Sequence, residues 1–388
     1  MKKAKIALVY DRVNTAYGGA EQVLLALQQI YPQAVLYTSV YDPQKAKWAQ
    51  NFSVKTSFLQ KLPWAKNSHR YLAPLMPLAF ESLDLSSYNI IISVTSAEAK
   101  GVVTRRDQLH LCYLLSPPRY LYHYQKQYLQ SNWFLRLPLI QKLAKKALDH
   151  LKKWDQVAIY RPDLIIPIAE IVKKRAQKYY PNLQLEKVIY PPLDTLLLTY
   201  QEHKTQKSKQ SKYYLLVSRL VPYKNVLPAI LACQKLDRQL IIVGEGPEER
   251  KLKKFANASI TFQKNLSQEK LVHLYQNCQA VLSPGLDDFG IAALQANLFG
   301  KPIIINQLAG AAELIKDGQD GIHLVYQEGD SDQTITQNLI NSIQRLEKSH
   351  FDPKILSKNA LKYGTNRFAL NFDQALQKAY QAKLKGKL

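Results

Sequence analysis

The chain has 388 residues, 46% hydrophobic and 21% charged, a globular composition at a length of two to three domains that excludes a lone small module and wholesale disorder. Lys and Arg number 53 against 30 acidic residues, a formal net charge of +23, which favours phosphorylated substrates, anionic lipid or nucleic acid as partners. A Lys-rich solvated surface accounts for the same excess, because net charge speaks to partners and not to fold. The three cysteines, Cys112, Cys233 and Cys278, are odd in number and widely spaced; neither a disulfide framework nor a zinc site is expected, and a reducing compartment fits. No apolar run reaches the ~18 residues of a spanning helix, no repeat period is present, and the basic-then-apolar start ends at Asp11, too early for a signal-peptide core.

Short apolar runs alternate with helical periodicity, which predicts α/β with parallel sheets. Lys5–Tyr10 reads as a buried strand, followed by a loop over Asp11–Gly19 and a helix with Val23, Leu24, Ala26, Leu27 and Ile30 on one face. Further strands are expected at Val35–Thr38, Ile90–Val94, His110–Leu115 and Leu164–Ile168. A long basic helical stretch is expected between Lys126 and Trp154, and Val188–Tyr190 closes the first half before Pro191. Tyr200–Lys212 is polar and nearly free of apolar groups, hence the best boundary. Beyond it, strands are expected at Tyr214–Val217, Leu240–Val243, Ile260–Phe262, Ala280–Leu282, Pro302–Ile305 and Ile322–Val325. The last helix carries Leu370, Phe372, Ala375, Leu376 and Ala379 roughly on one face. The division is therefore 1–199, a linker 200–212, 213–365, and a C-terminal helix 366–388 whose docking the pattern leaves open, the first lobe being one option.

Four segments carry candidate chemistry. Gly18-Gly19-Ala20-Glu21 lies between strand and helix, where glycines permit close backbone approach and free N–H groups bind phosphate; a plain turn explains it as well. Arg219 and Lys224 follow a strand, five residues apart, where a fork and a point charge can straddle a diphosphate at the sheet edge. Gly244-Glu245-Gly246-Pro247 follows the next strand, a weak glycine signal. Asp287-Asp288-Phe289-Gly290-Ile291 enters a helix that carries Gln295. Asp287 and Gln295 can both face a ligand over that helix start, or an aspartate can simply cap the helix.

In order and spacing these segments resemble glycosyltransferase family 4, retaining nucleotide-sugar enzymes of the GT-B fold, and within it bacterial mannosyltransferases of O-antigen and polysaccharide assembly. The resemblance spans nearly the whole chain. Its parts are GGAE at 18–21, AFESLDLSSYNIIIS at 79–93, YLLSPPRY at 113–120, KKRAQKYYP at 173–181 and VIYPPLD at 188–194. It continues with VSRLVPYKN at 217–225, VGEGPE at 243–248, DDFGIAALQANLFGKPII at 287–304 and Glu313 after Gly310. It implies two Rossmann-like lobes facing a central cleft, an N-terminal acceptor lobe and a C-terminal nucleotide-sugar lobe. Gly18 and Gly19 would face the donor phosphates. Arg219 and Lys224 would hold the diphosphate and stabilise the leaving nucleoside diphosphate. Glu245 and Gly246 would lie near the nucleotide, and Phe289, Gly290 and Ile291 would present backbone N–H groups. Asp287 takes the place of the first Glu of the family's Glu-x7-Glu motif, on the transferred sugar. Gln295 takes the place of the second, on ribose hydroxyls. Arg119 and His123 are acceptor-side candidates. The donor would be GDP-mannose or a UDP-sugar, with no cofactor or metal.

The departures are specific. A family Tyr-x-His-Thr-Pro pattern reads Tyr113-Leu114-Leu115-Ser116-Pro117 here, so Leu115 replaces its His. Ile168 and Ala169 stand where an Asn-Ser pair often follows, and Asp287 and Gln295 replace the two motif glutamates. His110 and His123 are the nearby histidines open to replacing the missing one. Retaining transfer in this fold leans on leaving-group stabilisation and positioning, which Arg219 and Lys224 keep. Two readings stay open: a hexosyltransferase acting on a glycan or lipid-linked acceptor, or a catalytically impaired homologue serving as a binding partner. No nucleic-acid module is recognisable. Basic stretches with Trp and Leu at 59–80 and 141–154 suit either an anionic membrane surface or a solvated face. The expected location is the cytoplasm, with peripheral association at the inner membrane face left open.

Overall fold

The computed structural model describes residues 4–15, 17–62, 65, 69–122, 125, 138–194, 197 and 213–388, without the side chains of 69–71, 138 and 139. The chain divides into two compact units, Met1–Tyr190 with Ala369–Leu388, and Pro191–Phe368.

The first unit holds β1 (Ile6–Tyr10), β2 (Val35–Thr38), β3 (Val54–Thr56), β4 (Ile90–Thr95), β5 (Leu109–Leu114) and β6 (Leu164–Pro167). They form a parallel sheet in the order β3-β2-β1-β4-β5-β6. Every residue of β4 and β5 is buried, as strands covered on both faces must be, and both read as near-continuous apolar runs for that reason. The longer helices are α1 (Gly19–Ile30), α2 (Pro138–Ala158) and α3 (Glu170–Tyr179). Ala7, Val9, Phe80, Ile91 and Val102 belong to one buried cluster of this unit.

The second unit repeats the plan. Its strands are β7 (Tyr213–Val217), β8 (Gln239–Val243), β9 (Ile260–Gln263), β10 (Ala280–Ser283), β11 (Ile303–Asn306) and β12 (Gly321–Leu324). The parallel order is β12-β11-β10-β7-β8-β9. Helices α4 (Val226–Lys235), α5 (Gln268–Asn277), α6 (Ala292–Leu298), α7 (Asp332–Lys348) and α8 (Pro353–Leu361) cover it. Tyr214, Leu216, Ile230, Leu240, Leu282 and Leu339 lie in its core. In each unit the strand order reverses beside the first strand, between β1 and β4 and between β7 and β10. Open parallel sheets bind ligands at such a point, beyond the strands' C-terminal ends.

The final helix, α9 (Thr365–Leu384), starts in the second unit and ends in the first. Phe372 meets Tyr113 edge-on at 5.8 Å. Tyr31 donates to Asp373 at 3.0 Å, and Lys383 to Asp163 at 2.6 Å. Its buried stripe is Phe368, Phe372, Leu376 and Ala379, whereas Leu370 is 59% exposed. The expected face is corrected there: a spacing of four fits the 3.6-residue period, and Leu370 falls off it. Val188–Tyr190 forms no strand, and β3 was not expected. The polar stretch 200–212 lies outside the described residues, as do 126–137 of the expected basic helix.

Candidate functional site

The second unit gathers nine of the candidate residues beyond the C-terminal ends of three adjacent strands, β8, β7 and β10. Two loops, 218–225 and 244–248, are joined backbone to backbone. Ser218 N donates to Val243 O, Leu220 N to Glu245 O and Glu248 N to Leu220 O, at 2.9–3.0 Å. This approach is why glycines stand at 244 and 246. A Cβ on Gly244 would lie 1.9 Å from Ser218 O, and one on Gly246 would lie 2.3 Å from Leu220 O. Gly244 also has φ +148°. The weak glycine signal is therefore a packing requirement that sets Glu245, exposed, beside Leu220, the residue after Arg219 on the neighbouring loop.

The third loop, 284–291, closes on the first from the other side. Leu286 N donates to Tyr223 O at 3.0 Å, and a Cβ on Gly285 would strike Lys224 Cα at 2.8 Å. Asn225, in the left-handed region at φ 50°, turns the chain into α4. Its Nδ2 donates to the Tyr326 hydroxyl at 2.6 Å, and Tyr326 donates to Pro284 O at 2.6 Å. Tyr326 is buried and so ties the Lys224 loop to the Asp287 loop.

Lys224 Nζ pairs with Asp287 Oδ1, and Ser283 Oγ lies 3.4 Å from Oδ2. Arg219 Nη2 donates to the Tyr223 hydroxyl at 2.8 Å. Asp287 does not cap α6: the cap position is Ile291, with no side-chain cap. Gly290 has φ +92°, a conformation that favours glycine, and its missing Cβ would sit 3.3 Å from Asp287 Cβ, a tight contact. Phe289 is buried and its carbonyl accepts from Ala311 N at 2.6 Å. Gln295 lies a turn inside α6, where Tyr275 Oη donates to its Oε1 at 3.0 Å. Burial pushes the Tyr275 phenol far above its ordinary range, so it serves as a donor. The arrangement offers two cations, a carboxylate and uncapped helix N–H groups to an anionic, hydroxyl-bearing ligand.

Gly18, Gly19 and Arg119 lie in the first unit; His123 lies outside the described residues. Gly18 precedes α1 with extended backbone, and Glu21 Oε2 would be 3.0 Å from a Cβ there. Glu21 is buried and accepts from the Tyr10 hydroxyl at 2.9 Å and from Thr15 Oγ1 at 3.2 Å. Asp11, at the switch point, accepts from Thr95 Oγ1, Ser96 N and Ala99 N at 2.7–2.9 Å. It pins the loop that carries Glu98. Burial, with the Asp11 charge, pushes Glu98 up to about 7, against the Tyr120 hydroxyl that donates to it. Leu115, Ile168 and Ala169 are buried.

His110 does not stand in for a histidine at 115. It is the second residue of β5, at the strand's opposite end, fully buried with Nε2 2.9 Å from Ser93 Oγ. Five residues of strand separate it from Leu115 by roughly 16 Å. Burial lowers its pKa to about 4.

Sequence reasoning missed Tyr223, Asn225, Tyr275, Tyr326, Asp11 and Glu98. Only Asn225 carried a local signal, an asparagine between Lys224 and the apolar run of α4.

The two parallel sheets and the loops on their C-terminal edges make the fold GT-B, and the similarities that follow make the chain a glycosyltransferase. Residues 200–362 match the family model described as Glycosyl transferases group 1. Over nearly full length the chain is similar to alpha-1,3/1,6-mannosyltransferase ALG2 of Candida glabrata, 22% identical over 97% of this chain and 94% of that protein. An uncharacterized glycosyltransferase of Methanocaldococcus jannaschii is 25% identical over 41% of this chain and 44% of its own. Among solved structures, sucrose-phosphate synthase from Thermosynechococcus elongatus superposes with a TM-score of 0.71 at 15% identity, covering 98% of this chain and 100% of that one. HepE of Anabaena, in complex with UDP, gives 0.63 at 18%, covering 96% and 100%.

Proposed function

We propose that the chain is a retaining family 4 hexosyltransferase, moving a mannose-like sugar from a nucleoside diphosphate to a glycan or lipid-linked acceptor in surface polysaccharide or glycan assembly. The observation that carries this is the cation pair Arg219 and Lys224, held on interlocked loops at the β7/β10 switch point beside Asp287. In this reading Arg219 and Lys224 bind the diphosphate and neutralise the charge that grows on it as the glycosidic bond breaks. When the diphosphate arrives, Lys224 turns part of its charge from Asp287 to phosphate, freeing a carboxylate oxygen for a sugar hydroxyl. Phe289, Gly290 and Ile291 lend backbone N–H groups, Glu245 and Gly246 flank the nucleotide, and Gln295 meets the ribose. Gly18, Gly19, Arg119 and His123 are assigned to the donor-phosphate and acceptor sides. The buried apolar Leu115 removes a polar group from the sugar's side, a loss of roughly 10²–10⁴-fold in rate by general acid–base standards, which leaving-group stabilisation outweighs.

The mannosyltransferase name of the Candida relative and the UDP bound by HepE support a nucleotide-sugar donor. An anionic membrane surface is the proposed docking partner, at the inner face of the membrane: Lys142, Lys145, Lys146 and Lys153 of α2 are exposed beside Leu143. No described helix is long and apolar enough to cross a bilayer. The test is a thermal-shift screen of GDP- and UDP-sugars, followed by transfer to lipid-linked acceptors with determination of the product anomer. Stabilisation by one base class and a product with the donor's anomeric configuration are expected. No stabilisation by any nucleotide sugar, or an inverted product, would overturn the reading.

A further inference from the structure

Gln295 is held from behind by a residue that belongs to no loop of the site. Tyr275, on α5, is fully buried and stacks on Phe299 with ring centroids 5.6 Å apart and planes 23° from parallel. Its hydroxyl donates to Gln295 Oε1 at 3.0 Å. A donating phenol decides which end of the amide faces it: oxygen toward Tyr275, nitrogen away. Among the described residues no acceptor takes the Nε2 hydrogens. Position 295 therefore offers a ligand two N–H donors and no charge, where a glutamate would offer an anion that must receive hydrogens.

We propose that the donor site tolerates the loss of a ribose hydroxyl, so that 2′-deoxynucleoside diphosphates are ligands alongside ribonucleoside diphosphates. Gln295 is the specificity-determining residue and Tyr275 the residue that positions it. The inference rests on the reading above, in which Gln295 meets the ribose. The reason lies in what each side chain loses when a hydroxyl is absent. A half-buried carboxylate then keeps an unsatisfied charge. A neutral N–H can turn to the remaining hydroxyl oxygen or to a phosphate oxygen. One neutral hydrogen bond corresponds to roughly two- to tenfold in affinity, and one to a charged group to roughly ten- to a hundredfold.

The test is calorimetric titration of the full chain with UDP, 2′-deoxy-UDP, GDP and 2′-deoxy-GDP. For the base that binds, the wild-type ratio of deoxy to ribo Kd should stay below about tenfold. Gln295→Glu should raise that ratio by about a further tenfold. Tyr275→Phe keeps the ring stack and should weaken the ribonucleotide a few-fold with little change in melting temperature, and should add nothing in a Gln295→Ala background. A wild-type ratio above about fiftyfold, an unchanged ratio in Gln295→Glu, or an additive Tyr275→Phe effect would overturn the inference while leaving the donor site standing. Absence of binding by all four nucleotides would overturn the donor-site reading and this inference with it.

Discussion

Replacing Lys224 by methionine separates two jobs that the ammonium does at once. Its side chain is 15% exposed and that of its partner Asp287 is 11% exposed. Removing one member of a fully buried ion pair costs about 3–5 kcal/mol, because a charge stays behind. Here some solvent reaches the pair and Ser283 Oγ stays beside the carboxylate, so about 2–3 kcal/mol is the expected loss. At about 2–4 °C per kcal/mol, the second unit should melt roughly 4–12 °C lower. Adding Asp287→Asn removes the stranded charge, and the double variant should recover most of that shift. Binding behaves differently. Without the ammonium's hydrogen bond to phosphate, affinity should fall by about 1.5–3 kcal/mol, ten- to a hundredfold in Kd, and the double variant should not regain it. Calorimetric melting and titration with UDP and GDP read the two effects on the same samples. Recovery of nucleotide affinity in the double variant would refute the assignment of Lys224 to the diphosphate. An unchanged melting temperature in Lys224→Met would refute the ion pair's role in the loop.

Two buried groups of the first unit should give opposite pH responses. Glu98 titrates near 7 in the fold against an ordinary 4.5, so its contribution falls as pH rises from about 4.5 to 7. His110 titrates near 4 against 6.5, so its contribution falls as pH drops from about 6.5 to 4. Each has a slope of roughly 1.4 kcal/mol per pH unit, and between about 4.5 and 6.5 they cancel. Relative to wild type, urea unfolding of Glu98→Gln should gain stability with rising pH across that window and His110→Asn should lose it; parallel profiles would refute both assignments. Gly244→Ala places a Cβ on Ser218 O at positive φ and should cost about 3 kcal/mol or more. Gly329→Ala, with φ +101° and open space, should cost only about 1 kcal/mol. Equal denaturation midpoints for the two would show that the close approach of the two loops does not matter.

Eleven of the twelve described strands were legible because parallel strands buried on both faces spell themselves as apolar runs, as IIISVT and LHLCYL do. Val54–Thr56 was not, because a three-residue edge strand with a half-exposed pattern carries one apolar residue and no period. The loops bearing Arg219, Lys224 and Asp287 were legible from their place after strands. Their supports were not. Tyr275 and Tyr326 lie 20 and 42 residues from the groups they hold, Gln295 and Pro284, and tyrosines in a chain with 24 of them announce nothing until tertiary packing chooses their partners. The His110 option closes for a related reason: nearness to Leu115 in sequence is distance along a strand, which is the most extended path the chain can take.

The path of the chain leaves the first unit at Tyr190 and re-enters it at Ala369, which sets an order of events during synthesis. Once residue 368 has been made, every described strand and core helix of the second unit exists and can assemble. The first unit, begun earlier, still lacks the helix that covers Tyr113 and engages Tyr31 and Asp163. The part translated first is thus the part completed last, and for about 10–35 s at ordinary elongation rates its apolar docking surface waits for its own C-terminal segment.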